Sequence, residues 1–133
     1  MTAPTPPVPA AFEQADIGRA ALWFGFAGGL VAWLGHFLLA YAISEFGCVA
    51  GWGKIHWAGL SAITWALAGA TALAIALATA SILIALRTHR RLRDEPGAGA
   101  GHWMGWAGLI AGGLSLLTIL VESIPIFYWL GDC

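Results

Sequence analysis

The chain has 133 residues, of which 59% are hydrophobic and 10% charged, with a formal net charge of −1. Soluble domains carry about 25% charged residues, so this composition leaves little polar surface for a water-soluble fold. The near-zero net charge gives no basis for binding nucleic acid.

Residues 1–10, MTAPTPPVPA, contain four prolines and lack both a basic start and an apolar core. They read as an extended cytoplasmic tail and not as a signal peptide. Phe12 to Gly18 reads as an interfacial lead-in, with Glu13 and Asp16 near a helix start, where the dipole favours anions. Residues 1–18 thus form a tail and lead-in, and 19–133 a single three-helix transmembrane domain.

No Asp, Glu, Lys or Arg occurs from Ala20 to Ser44, from Ile55 to Leu86, or from Pro96 to Val121. Each run exceeds the roughly 20 residues that a helix needs to cross a hydrocarbon core of about 30 Å. The fold class is an all-α membrane protein whose three spans are expected at about 19–47, 57–86 and 103–130. Arg87, Arg90, Arg91 and Arg93 crowd the second connection, whereas Lys54 is the only Lys or Arg of the first. Basic loops stay cytoplasmic, so the N-terminus is expected inside and the C-terminus on the periplasmic side of a bacterial inner membrane. Trp52, Trp57 and Trp129 then fall at the outer boundary, and Trp23, Trp103 and Trp106 at the inner one, as an aromatic belt requires. Trp33 and Trp65 lie deeper and read as packing or lipid contacts.

Small residues recur at four-residue spacing. Gly25 and Gly29 lead into Ala32, His36 and Ala40 in span one; Ala62, Ala66, Ala70, Ala74 and Ala78 line span two; Gly108 and Gly112 lie in span three. Lipid tails are as apolar as leucine, so membrane helices associate through the close packing that small residues allow. All three spans carry such a face, so some of these faces are expected to meet another subunit.

The polar groups at membrane depth are His36, Tyr41 and Ser44 in span one and Glu122 and Ser123 in span three. At about 1.5 Å per residue, His36 lies about 18 Å below Cys48, and Glu122 at most about 16–17 Å below Cys133. Ionisable groups at that depth normally face protein or water and mark function. His36 and Glu122 are expected to pair, with Tyr41 extending the network; the pair either satisfies itself or serves proton transfer, quinone or cofactor contact. Cys48 and Cys133 share the oxidising side, where they are expected to be joined in a disulfide and not to remain two thiols on one face.

No catalytic arrangement and no metal-ligand spacing occurs, and His36 lacks a second His at equal depth for haem. The chain is therefore not read as an enzyme by itself, nor as holding a cofactor alone. Lipid is its expected ligand, with haem or quinone in partner subunits.

The stretch W33-x2-H36-x4-Y41-x6-C48 resembles small, uncharacterised three-span bacterial membrane proteins associated with haem–copper terminal oxidases, and Cys133 matches their second Cys. That group often carries another His soon after the Tyr; here Ala42-Ile43-Ser44-Glu45 stands in its place. The resemblance implies an accessory subunit of a respiratory complex that stabilises or bridges catalytic subunits. Two other readings stay open. One is a subunit contributing to a quinone, cofactor or proton-transfer site through His36, Tyr41 and Glu122. The other is a small homo-oligomeric transporter or channel subunit with Glu122 in its pore.

Overall fold

The computed structural model describes residues 9–92 and 99–128, and side chains within 18–91 and 102–125. Three long helices form the chain: α1 (Pro9–Val49), α2 (Ala62–Leu92) and α3 (Gly99–Tyr128). A 3-10 turn at Trp52–Lys54 and a two-stranded hairpin, β1 (His56–Trp57) and β2 (Leu60–Ser61), join α1 to α2. Three stretches are long and apolar enough to cross a membrane: Gly18–Val49, Ala62–Arg91 and His102–Pro125. In hydrocarbon a backbone must satisfy its own hydrogen bonds, which is why helices are the form these runs take.

Two boundaries differ from expectation. The lead-in at 12–18 is not separate but belongs to α1, which begins at Pro9. The second helix begins at Ala62 and not near Trp57, because 56–61 pairs antiparallel, His56 with Ser61 and Trp57 with Leu60. Ala58 and Gly59 turn the hairpin with φ of 50° and 82°. Positive φ at both central residues matches the right-handed twist of the two strands. Trp65 Nε1 donates to the Trp57 carbonyl at 3.0 Å and holds the hairpin on α2. Ser61 then caps the helix: its Oγ accepts from the Thr64 backbone N–H at 3.3 Å, satisfying one of the first-turn donors. At the other end His89, Arg90 and Arg91 occupy the last turn of α2, where the helix dipole favours cations. Pro125 lies inside α3, and the helix continues past it to Tyr128. The tail at 1–8, Arg93 and the connector at 93–98, Trp129 and Cys133 lie outside the described residues.

The helices meet along seams of alternating three- and four-residue spacing. In α2 the buried positions include Thr64, Leu67, Thr71, Ala74, Ala78, Ser81 and Ala85; in α3 they are Gly105, Gly108, Gly112, Ser115, Ile119 and Ser123. That spacing is the knobs-into-holes seam of left-handed packing. Ala32, Ala74, Ala78 and Ile119 form one core cluster, with Trp33, Ile75 and Leu116 packed on it. Ile63 and Leu67 form another, against Ala40 and Ile43.

The glycines bring the backbones into contact. A Cβ at Gly108 would lie 2.6 Å from the Gly25 carbonyl oxygen, one at Gly29 would lie 2.7 Å from the Gly112 Cα, and one at Gly112 would lie 2.8 Å from Ile82 Cγ1. Ser81 Oγ donates to the Phe24 and Gly25 carbonyls at 3.1 and 3.2 Å, tying α2 to the same level of α1. These small-residue faces are therefore consumed within the three-helix unit. They do not supply the free interface for another subunit that their spacing suggested. The outward faces instead carry large apolar side chains such as Val31, Leu34, Leu38, Leu73 and Leu117.

Gly108→Ala is expected to destabilise the bundle by about 1–3 kcal/mol, the range for overpacking. Gly113→Ala, with nothing within 4 Å of the added methyl, should be neutral or slightly stabilising through helix propensity. Reversible unfolding in mixed detergent micelles measures both.

A candidate intramembrane polar site

His36 lies on the central stripe of α1, in line with Gly25, Gly29, Ala32 and Gly47, and is 3% exposed. This stripe faces both neighbouring helices, so the imidazole stands where all three meet. Its Nε2 shares a hydrogen bond of 3.0 Å with Thr71 Oγ1 of α2, the donor being set by the imidazole tautomer. Its Nδ1 is buried without a hydrogen-bond partner.

Glu122 enters from α3. Trp33 Nε1, one turn before His36 on α1, donates to Glu122 Oε1 at 3.3 Å. The second carboxyl oxygen, Oε2, is buried and has no hydrogen-bond partner. The expected His36–Glu122 hydrogen bond is thus replaced by two others: imidazole to Thr71, and carboxyl to Trp33. The reason is rotational position. His36 occupies the middle of the α1 stripe, within reach of α2, whereas Trp33 lies on the flank that faces α3.

Both groups nevertheless line one groove of about 670 Å³ between α1 and α3. From mid-helix outward it is bordered by His36, Ala40, Tyr41, Ser44, Glu45 and Cys48, with Glu122 and Pro125 opposite. Tyr41 is 64% exposed and stands on the groove's rim. The other flank of α1 carries a second groove of about 470 Å³, lined by residues such as Phe24, Val31, Leu39, Leu73 and Leu77. His36 borders both grooves and is the one titratable residue of the second.

A buried polar atom normally finds a partner, because leaving it unmade costs about 1–3 kcal/mol. His36 and Glu122 each keep one unbonded polar atom, itself shielded from solvent, while both side chains line the same groove. Donor and acceptor chemistry of this kind suits a proton-carrying guest such as a hydroxyl-bearing ring.

Two contributors were not legible as site residues. Trp33 reads as packing yet donates to the carboxyl, and Thr71 is one of several hydroxyls on α2. The available signal for Thr71 was its place in the three- and four-residue series of Thr64, Leu67, Thr71 and Ala74. Of the arginines expected to set topology, Arg87, Arg90 and Arg91 lie at the end of α2, remote in sequence from this groove. Cys48 borders the groove, while its expected partner Cys133 is not among the described residues.

Thr71→Val keeps the side-chain shape and removes the hydroxyl, leaving His36 with neither nitrogen bonded. We expect a loss of about 1–2 kcal/mol in detergent unfolding, the scale of interhelical hydrogen bonds in membranes. Thr118→Val should cost less, because the Thr118 hydroxyl only donates back to the Leu114 carbonyl of its own helix.

Searches of protein-family models, of curated proteins and of solved structures found no match to this chain.

Proposed function

We propose that this chain is a small subunit of a larger bacterial inner-membrane complex, contributing a quinone-type or proton-transfer site built on Glu122 and His36. The observation that carries this reading is that His36 and Glu122, each with one hydrogen-bonded and one buried, unbonded polar atom, line one groove. A carboxyl group in hydrocarbon is costly, and a polar guest offsets that cost by bonding it. Trp33 holds one carboxyl oxygen and Thr71 is bonded to the imidazole, so both side chains are braced by a neighbouring helix. Tyr41, on the rim, offers a further hydroxyl to a guest.

The wider setting is respiratory, on the resemblance of the W33–H36–Y41–C48 stretch to small, uncharacterised three-span membrane proteins associated with haem–copper terminal oxidases. In that setting the chain is not a catalyst by itself, and haem or other redox centres belong to its partners. Lipid covers the remaining apolar faces.

In the proposed orientation the arginine-rich connection is cytoplasmic and the Cys48 end is periplasmic. Cys48 and Cys133 are then joined by a disulfide in that oxidising compartment, closing a long loop. Single cysteines at Gly53 and Ala98, probed in intact cells with a membrane-impermeant thiol reagent, are expected to label at 53 only. Labelling at 98 and not at 53 reverses the orientation. Non-reducing peptide mapping is expected to recover the Cys48 and Cys133 peptides linked; complete alkylation without reductant rejects the bond.

The functional test uses the complex purified through a tag on this chain in mild detergent. Glu122→Gln should keep the subunit assembled but lower quinol-dependent turnover per catalytic centre by about tenfold or more, within the usual range for loss of a proton-transfer group. Unchanged turnover in an intact complex overturns the site and leaves a purely stabilising subunit.

A further inference from the structure

The two flanks of α1 differ in chemistry, and the difference follows depth. On the α3 flank, polar side chains rise from Glu122 and His36 through Tyr41 and Ser44 to Glu45, near the helix end at Val49. Toward the other end of the helices the same α1–α3 seam closes. Gly25 meets Gly108 there, and Gly29 meets Gly112, with no room for a methyl group between the backbones. No titratable side chain occurs in α1 between Arg19 and His36, in α3 between His102 and Glu122, or in α2 between its start and Arg87. Hydroxyls at the closed level include Ser81, which donates to α1 carbonyls, and Ser115, whose Oγ is buried without a hydrogen-bond partner but cannot ionise.

From this we infer that the α1–α3 groove is a one-sided proton-access path. It leads from the aqueous phase at the C-terminal end of α1 to Glu122 and His36, and ends there on the Gly25–Gly108 and Gly29–Gly112 contacts. A proton entering from water at Glu45 passes along hydroxyls and groove water, each oxygen accepting one proton and releasing another. It reaches the carboxyl of Glu122 or the imidazole of His36, the titratable groups at the closed end of the groove, each with one polar atom that has no hydrogen-bond partner. The titratable groups facing the path are His36, Tyr41 and Glu45 on α1 and Glu122 on α3; α2 contributes the Thr71 hydroxyl but no ionisable group. Lys54 and His56 stand in the connection that follows that end of α1. The opposite groove, beside Leu39, Leu73 and Leu77, offers hydrocarbon walls and no such ladder.

The inference rests on the same site as the proposed function but not on its ligand, and its test reads no turnover. Ser44→Cys, Tyr41→Cys, Leu38→Cys and Ser115→Cys are made one at a time in the full chain. They are reconstituted with whatever partners copurify and treated with a membrane-impermeant thiolsulfonate from each side. The unsubstituted chain sets the background from the native cysteines, and a cysteine at Gly53 identifies the α1 C-terminal side. Thiolate formation needs water, so Ser44→Cys and Tyr41→Cys should react from that side about tenfold faster or more than lipid-facing Leu38→Cys. Ser115→Cys should react from neither side.

Equal rates at positions 41, 44 and 38 remove the path, as does silence at 41 and 44 while 53 reacts. Reaction of Ser115→Cys from the arginine-rich side removes the seal. Ser44→Cys and Ser115→Cys differ from the native residues by one atom each, so misfolding does not confound the comparison between groove and seal. Failure of the Glu122→Gln turnover test with this labelling pattern intact would leave an accessible groove without a catalytic role. The reverse result would leave a working site reached from elsewhere.

Discussion

Backbone contact between α1 and α3 at Gly25–Gly108 and Gly29–Gly112 is the constraint on which the remaining architecture depends. In lipid no hydrophobic force draws apolar helices together, so dispersion at close approach and hydrogen bonds to exposed carbonyls must do so. The glycines permit that approach, and the Ser81 hydroxyl adds α2 by donating to the Phe24 and Gly25 carbonyls of the same turn. Gly112 lies against Ile82 of α2, so the tightest point of the molecule is also its three-way junction.

Away from that junction, toward the end of α1, larger residues enter the α1–α3 seam and a groove opens between the helices. His36, Trp33 and Glu122 sit where the close packing gives way to the cavity. Their hydrogen bonds are interhelical, and each side chain is held by a partner on a different helix from its own. A group braced in this way keeps its remaining polar atom in place without a ligand, which lowers the ordering cost when a ligand or water arrives.

The outward surface is almost wholly apolar, and a lateral opening at a buried carboxyl is an unfavourable arrangement against lipid tails. A neighbouring subunit or an amphiphile covering the groove would remove that cost, and the subunit reading has this physical basis. The Gly25–Gly29 and Gly108–Gly112 faces are spent inside the bundle, whereas Gly35, Gly69 and Gly113 stay open.

The charge-free runs by themselves determined three long helices, since a backbone in hydrocarbon has few other ways to satisfy its amides. The four-residue glycine spacings marked the packing faces, because only small side chains allow close approach. Ser61, three residues before Thr64, carried a helix-start signal, yet the apolar Trp57–Leu60 stretch hid the hairpin in front of it. The depth of His36 and Glu122 could be counted along the chain, but their partners could not. Helix rotation decides those: a shift of one residue turns a side chain by about 100°, and in this fold His36 bonds Thr71 while Trp33 bonds Glu122. Which small-residue faces remain free was likewise decided only by tertiary structure, because spacing specifies that a face can pack and not which helix it packs against.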